Sequence, residues 1–518
     1  MNRFFNTAGH CKPEIHYKVD PLPRLPIVKH LIEGQHYFVI HAPRQTGKTT
    51  YLYALMNRLN SEGKYSALTV NVQAAASARD SEHAMMIVAT AIFRQARLRL
   101  PESEWPLPVE KPKPDVFPFG QIGDYLAAWA EKNPKPIVLF IDEADFLTED
   151  MLQTIIRQLR AGFEVRPEGF PHSVALVGLR DVRDYKVRTC SEWEQPDIGS
   201  LFNIKTKSLF MEGFLLSDME ALLDQHTAET GQEFDPAVRN EIFRLTQGQP
   251  WLVNALANQI VAEILENDFR QKITLAHVTQ AKEELILRRD PHLDSLINKL
   301  REPAVKTVAE AIICGNALLP DSFGNDLAYL RDLGMITGKA PVKFANPVYS
   351  ESIPRALNYA WQVSFNPDIA DQTRYIRGGH LNMDALLSVF QKSCSRNMDI
   401  WLENFDFREA GRLLMLMAFI QRIVDSDGMI EREMAMGSGR CDMTVTFRSD
   451  RFLLELKLQR DRYGEEDGLK QIAAYIDRMG SDHGYLILFE TNSEIPWEKR
   501  IYRKEVSQEG KRITLLGM

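Results

Sequence analysis

The stretch YFVIHAPRQTGKTTYLYALMNRL, Tyr37 to Leu59, constrains this chain more than any other. Four apolar residues run into HAPRQTGKTT and out into a pattern of apolar residues three and four apart, so a buried strand must end in a tight loop that opens a helix. Successive backbone N–H groups of such a loop, with the helix N-terminus behind them, surround phosphate oxygens. Lys48 is placed to reach the outer phosphates, Gly47 permits close backbone approach, and Thr49 offers a hydroxyl to Mg²⁺. Ala42, Pro43, Arg44, Gln45, Thr46 and Thr50 complete the cradle. Ala42 stands where a glycine is usual, which restricts the turn by one methyl group.

A second motif answers the first. PIVLFIDEAD puts four apolar residues ahead of Asp142 and Glu143, so the acids sit at the carboxyl end of a buried strand, where open α/β sheets bind ligands. Asp142 is expected to hold Mg²⁺ through water and Glu143 to orient or deprotonate an attacking water. The plainer alternative is an acid pair capping the next helix. Arg180, at the end of SVALVGLRD, is either a γ-phosphate sensor or an ordinary surface arginine. TQGQPWLVNALA has a Gly248-x-Pro250 turn just before a helix, and Gly and Pro alone only punctuate loops.

At 518 residues, with 44% hydrophobic and 25% charged residues, the chain is globular in composition and too long for one core. A net charge of -8 argues against a protein that coats nucleic acid, though not against an enzyme that meets it through one groove. The five cysteines are scattered without a CxxC pair, which fits a reducing cytoplasm and suggests neither zinc nor a disulfide framework. The N-terminus lacks the apolar core of a signal peptide. The longest apolar run, Leu413–Ile420, is far short of the roughly 20 residues a membrane helix needs, so no membrane partner is expected.

Apolar runs at Tyr37–His41, Ser66–Val72, Ile137–Ile141 and Ser173–Gly178, separated by amphipathic stretches, predict a parallel sheet with covering helices. The proline-rich Pro101–Gly120 reads as a surface insertion. Helical spacing at Asp218–His226, Ala237–Leu245 and Trp251–Asn267 predicts a helical lid. Helices at Pro303–Cys314 and Ser322–Leu333, then VKFANPVYSESI as a β wing, suggest a winged helix. Its second helix, from Asn325, carries Arg331 but also Asp326 and Asp332, so it serves either as a groove reader or, as we favour, as a structural relay. A long helix, Phe407–Val424, leads into a hairpin, a helix (Asp467–Met479) and a strand (Gly484–Phe489).

That hairpin, GRCDMTVTFRSDRFLLELKLQR, carries charges among its leucines. Side chains alternate along a strand, so Asp442 and Thr444 share one face, and Leu453, Glu455 and Lys457 share a face of the returning strand that antiparallel pairing can bring to Asp442. Two converging carboxylates hold Mg²⁺, and a nearby ammonium positions water and offsets charge on a phosphate, which is the chemistry of phosphodiester hydrolysis. The alternative is a Glu–Lys pair on a solvated face, a contact of little worth.

Two resemblances follow from these motifs. PRQTGKTT, FIDEAD, VGLRD, FNIKTKSLFMEGF and GQPWLVNALA resemble the ATPase module of STAND and archaeal-type AAA-like ATPases, over residues 1–360. That resemblance implies ATP as ligand, a nucleotide-driven switch, homo-oligomers, and Gly248 and Pro250 seating a lid on the nucleotide. Asp442, Glu455 and Lys457, with Gln471 and Tyr475 one turn apart in GLKQIAAYIDRM and Glu409 in the preceding helix, resemble the PD-(D/E)xK nucleases over residues 395–518. Cys441 stands where the naming proline of that superfamily falls; Glu433 and Arg440 frame the approach to Asp442. Glu409 is equally readable as a solvated helix acid. The expected architecture is α/β: a P-loop NTPase core (1–212), helical lid (213–292), winged helix (293–362), linker (363–394) and α/β nuclease-like domain (395–518). The expected function is an ATP-regulated, Mg²⁺-dependent endonuclease acting on double-stranded DNA, of a kind that serves defence against phage or plasmids. The competing expectations are a scaffold ATPase with a non-cleaving nuclease fold, and a DNA-translocating motor with an end-trimming nuclease.

Overall fold

The structure is a computed structural model that describes residues 3–109, 122–179, 205–288, 290–313, 320–338, 342–364, 375–402, 415–417, 419–420, 423–424, 428–436, 439–459, 463–481, 483–490 and 495–518. Its contacts divide the chain into two compact units, Met1–Asp294 with Leu327–Val348, and Ser295–Asp326 with Tyr349–Met518.

The first unit is built on five parallel strands, β1 (Tyr37–His41), β2 (Ser66–Asn71), β3 (Ile137–Asp142), β4 (Ser173–Gly178) and β5 (Lys205–Phe210), in the order β2-β3-β4-β1-β5. Strands covered on both faces must be apolar at nearly every position, and alternate residues do go to opposite sides. Tyr37, Val39, Leu139 and Ile141 join one core with the helices α3 (Ser81–Arg99), α4 (Ile122–Lys132) and α5 (Glu149–Ala161). Phe38, Ile40, Val138 and Phe140 join the other, against α1 (Ile27–Glu33) and α2 (Lys48–Glu62). The four expected strands are therefore present. The fifth, KTKSLF, lies at the edge beside β1, where polar residues are tolerated and the apolar signal fades.

Two readings of this unit need correction. The start of Pro101–Gly120 is anchored rather than superficial. Glu104 is 4% exposed, accepts from the Ser66 hydroxyl at 2.7 Å and pairs with Lys135 at 2.6 Å, while its carbonyl takes the Trp129 indole N–H. Residues 110–120 lie outside the described residues. Among the described residues the wing shows one bridge, Ile336 to Phe344, and the end of VKFANPVYSESI enters the helix Pro347–Ser364, whose first residue is a proline already shaped for a helix start.

The helices expected to form a lid run Leu216–Thr230, Pro236–Thr246 and Pro250–Asn258. Asp235 and Gln249 cap the last two through their side chains, each followed by proline at the first helical position. The third passes into a π-helical turn, Gln259–Ile264, so the α-helix expected to reach Asn267 stops at Asn258.

The second unit holds the sheet β12-β13-β11-β10-β9-β8, made of β8 (Gly428–Met436), β9 (Gly439–Phe447), β10 (Asp450–Gln459), β11 (His483–Glu490), β12 (Tyr502–Gln508) and β13 (Lys511–Gly517); a separate hairpin pairs β6 (Ile376–Arg377) with β7 (His380–Leu381). β8, β9 and β10 pair antiparallel, and β10, β11 and β13 parallel. The helix Tyr463–Met479 covers one face through Ile472, Ala473, Tyr475 and Ile476 against Leu453, Leu486 and Leu488. Residues 383–394, expected as linker, begin the helix Met383–Leu402, and its Leu386, Leu387 and Phe390 are buried.

Candidate nucleotide site and a C-terminal acid–lysine pair

β1 ends at His41, and the loop to α2 turns twice through the left-handed region, at Gln45 (φ 58°) and Gly47 (φ 92°). The second turn leaves little room, since a Cβ on Gly47 would stand 3.3 Å from Nη1 of Arg24. Lys48 opens α2 and is 8% exposed; its Nζ donates to the carbonyls of Ala42 at 2.7 Å and Pro43 at 2.9 Å. Burial lowers its pKa, an effect opposed by the nearby carboxylates of Glu143, Asp142 and Asp145. Thr46 closes the loop by donating to the Pro43 carbonyl.

Thr49 donates its hydroxyl to Asp142 Oδ2 at 2.8 Å, joining the two motifs 93 residues apart. Asp142 is 1% exposed at the end of β3, and its other oxygen accepts the Glu143 N–H. Burial raises its pKa; Glu143, half-buried, is raised by burial and then by Asp142. Glu143 holds a left-handed backbone (φ 60°), which turns the chain sharply after the strand. Asp145 accepts the Leu179 N–H at 3.1 Å, and a Cβ on Gly178 would fall 2.7 Å from it, so the ends of β3 and β4 are locked together.

A cleft of about 540 Å³ opens over these groups. Thr46 to Thr50, Asp142 and Glu143 line it, as do Arg44, Gln45 and, from the lid, Pro250. Ala42 and Pro43 contribute the carbonyls that hold Lys48. Gly248 acts one layer back: its φ is +74°, its carbonyl accepts the Phe214 N–H at 2.7 Å, and a Cβ there would sit 2.0 Å from the Phe214 oxygen. Arg180 lies outside the described residues.

The remaining wall comes from residues with no motif signal. Asn6 to Cys11 and Tyr17 to Val19 line the cleft, tied in by Cys11 N–H to Thr50 Oγ1 (3.1 Å), by the Trp251 indole to the Thr7 carbonyl (2.9 Å), and by His10 stacked near Tyr53. Much of that wall is short side chains and backbone, which leave no periodicity to read.

The C-terminal residues stand as follows. Glu455 is 1% exposed and pairs with Lys457 at 2.9 Å, so the pair is not on a solvated face. The helix Tyr463–Met479 covers it, with Gly468 close enough that a Cβ would meet Lys457 Cγ at 3.3 Å. β9 and β10 pair Thr444 with Leu453 and Met443 with Leu454, the residues next to Asp442 and Glu455. The Asp442 side chain, Glu409, and the side chains of Glu433, Arg440 and Cys441 lie outside the described residues. Tyr475 is buried in the core beneath the helix, whereas Gln471 is exposed. Among the described residues, no group of three or more His, Cys, Asp or Glu forms a metal cluster.

A parallel sheet, a phosphate loop opening a helix, and an acid at the end of the neighbouring strand bonded to that helix define a P-loop ATPase domain of the α/β class. Residues 32–185 match the model of a family described as AAA domain. No curated protein matches the chain. Among solved structures, the chain is similar to a Walker-type ATPase of Pyrococcus abyssi, with 13% identity, 67% of this chain and 99% of that one covered, and a TM-score of 0.47. It is also similar to the ORC2 protein of Aeropyrum pernix (15% identity, 66% and 93% covered, TM-score 0.36) and to the RuvB Holliday junction branch migration motor of Thermotoga maritima (13%, 64% and 94%, 0.35). No helix among the described residues is long and apolar enough to cross a membrane.

Proposed function

We propose that this protein is an ATP-regulated, Mg²⁺-dependent DNA endonuclease, in which the nucleotide state of the P-loop unit governs cutting by the C-terminal sheet. The observation that carries the nuclease half is Glu455: a carboxylate 1% exposed on a strand, kept beside Lys457 and one residue past the Leu454–Met443 pair of the hairpin. Hairpin, covering helix and parallel strand follow in the order the nuclease resemblance implies. An ionisable pair on a leucine-rich strand is costly to bury unless something is gained.

Both sites suit Mg²⁺ by donor chemistry. Thr49 and Asp142 offer a hydroxyl and a carboxylate 2.8 Å apart, and Glu455 with Asp442 offers hard oxygens. Bound there, the ion supplies charge to offset that developing on phosphate oxygens. Lys48 holds the outer phosphates of ATP, Glu143 orients water toward the γ-phosphate and takes its proton, and Arg44 to Thr50 cradle the rest. In the C-terminal unit, Lys457 positions the attacking water, and Tyr475 anchors the helix that covers the pair. Assembly into homo-oligomers and action on double-stranded DNA belong to the same reading, as does a role in defence against phage or plasmids.

A second reading has its own observation. Lys457 already satisfies Glu455 without a metal, and Gln471 is exposed, as a fold that binds without cutting would allow. Closed circular DNA incubated with the protein, Mg²⁺ and ATP or a non-hydrolysable analogue separates the two. Lys457→Ala is expected to abolish nicking while ATP turnover persists; nicking that survives this change removes the endonuclease assignment. No nicking by the unmodified protein leaves the scaffold, and cutting confined to free ends favours a translocating motor.

A further inference from the structure

Arg24 lies outside every motif of the sequence, in a single 3₁₀ turn ahead of α1. Its guanidinium is nevertheless spent on the nucleotide site. Nη1 donates to the Thr46 carbonyl of the phosphate loop at 2.8 Å, and Nη2 donates to the carbonyl of Glu212, just past β5. The planar group stands 5.5 Å from the centroid of the Phe214 ring, and Asp218, in the first turn of the lid, attracts its charge. Arg24 and Phe214 both line the nucleotide cleft.

The far side of this arrangement is stiff. Phe214 donates its N–H to the Gly248 carbonyl at 2.7 Å, and the backbones approach so closely that a Cβ on Gly213 would meet the Gly248 oxygen at 2.7 Å. Two residues on, Pro250 starts the helix whose Trp251 and Asn254 also line the cleft. A continuous path of hydrogen bonds and ring contact thus runs from the phosphate loop through Arg24 and Phe214 to the Gly248 turn, and residues at both ends line the cleft. The two carbonyls are held by two different nitrogens of one planar group that also lies by a ring, and the single ammonium nitrogen of a lysine does not reproduce that fork.

We propose that Arg24 is a positioning residue for nucleotide turnover, clamping the phosphate loop to the 212–214 segment so that filling the loop and seating the Gly248 lid turn occur together. The proposal rests on the ATPase reading of the cleft. Its test uses the full chain carrying Arg24→Lys, Arg24→Gln or Phe214→Leu, with Lys48→Ala alongside. Two readouts are needed: the ATP concentration for half-maximal hydrolysis, and amide hydrogen exchange at 213–215 and 248–254 with and without a non-hydrolysable ATP analogue at saturation.

Both Arg24 variants are expected to raise the half-saturating ATP concentration about tenfold, as loss of a charged hydrogen bond does. Both are also expected to lose the nucleotide-dependent protection at 248–254 even when saturated, which a residue that merely supports the fold does not predict. Phe214→Leu keeps both carbonyl bonds and is expected to lose that protection with a smaller rise in half-saturation. It also tests the path should the Arg24 variants fold poorly. Wild-type protection in Arg24→Lys or in Phe214→Leu overturns the clamp. Undiminished hydrolysis by Lys48→Ala is a different failure, that of the nucleotide site itself.

Discussion

Each unit sets a lysine near a buried carboxylate on a central strand, and the two satisfy the charges in opposite ways. Lys48 gives its protons to two backbone carbonyls, and Asp142 takes a hydroxyl and an amide, so neither group consumes the other and both remain disposed toward a shared cleft. Glu455 and Lys457, by contrast, are two residues apart on one strand and bond to each other. The first arrangement keeps charge available to a ligand at the expense of burying it; the second neutralises charge at once, and a ligand there must compete with an ion pair already made. Raised pKa values at Asp142 and Glu143 express that expense directly.

The largest effect should come from the lysine whose partners are backbone. Lys48→Ala is expected to lower the ATP hydrolysis rate by at least about 100-fold, since its contribution is to charge that develops on phosphate. A stability loss without a rate loss would make Lys48 structural. Next, Lys457→Ala leaves the Glu455 carboxylate buried without its ammonium and should cost about 2 kcal/mol in the denaturant-induced unfolding of the C-terminal unit. Adding Glu455→Gln should recover most of that loss; additive losses in the double variant would show that the two side chains do not act as a pair.

Gly334 offers a sharper test of the first unit. It follows the helix Pro320–Asp332 with φ +73°, and a Cβ there would lie 2.6 Å from the Pro43 side chain of the phosphate loop. Gly334→Ala is therefore expected to destabilise that unit by about 1–2 kcal/mol and to weaken ATP binding with it. An unchanged melting transition and ATP affinity would mean the loop yields freely at Pro43.

The smallest effect is a pH dependence. The pKa of Glu143 is raised in the folded protein, so it favours the folded state most at acid pH, below its unfolded value, and this contribution is lost as pH rises through the folded pKa. Glu143→Gln removes the group. The variant should melt about 2 °C above wild type at pH 7 in the absence of nucleotide, with the gap closing near pH 4, while hydrolysis is lost. A gap that widens on acidification would reverse the sign and with it the account of burial at this strand end.

What could be read from the chain depended on whether function and periodicity coincide in one segment. The phosphate loop and the DE pair sit at the ends of apolar strands, so chain order alone aligned Lys48, Thr49 and Asp142 before any contact was known. β5 was missed because an edge strand tolerates KTKSLF, and the buried Glu104 because prolines beside it suggested surface. The end of the expected wing is helical for a related reason: β-like residues in VYSESI follow a proline that starts a helix. Arg24 and the wall from Asn6 to Cys11 carry no signal, because they act through single bonds to carbonyls and through short residues, and neither repeats along the chain.

The sequence alone determined the covalent order of strand, loop and helix, the two faces of each strand and the side-chain chemistry at each strand end, because these depend on neighbours within a few residues. Only the tertiary structure decided that Thr49 meets Asp142, that Arg24 reaches the phosphate loop, and that Glu455 is buried against Lys457 under a helix rather than bathed in water. The first two contacts join residues distant in sequence, and the third depends on a helix that follows the strand. Hydrogen bonds at such separations, and burial by a later element, are set by how layers pack, and packing leaves no mark on local spacing.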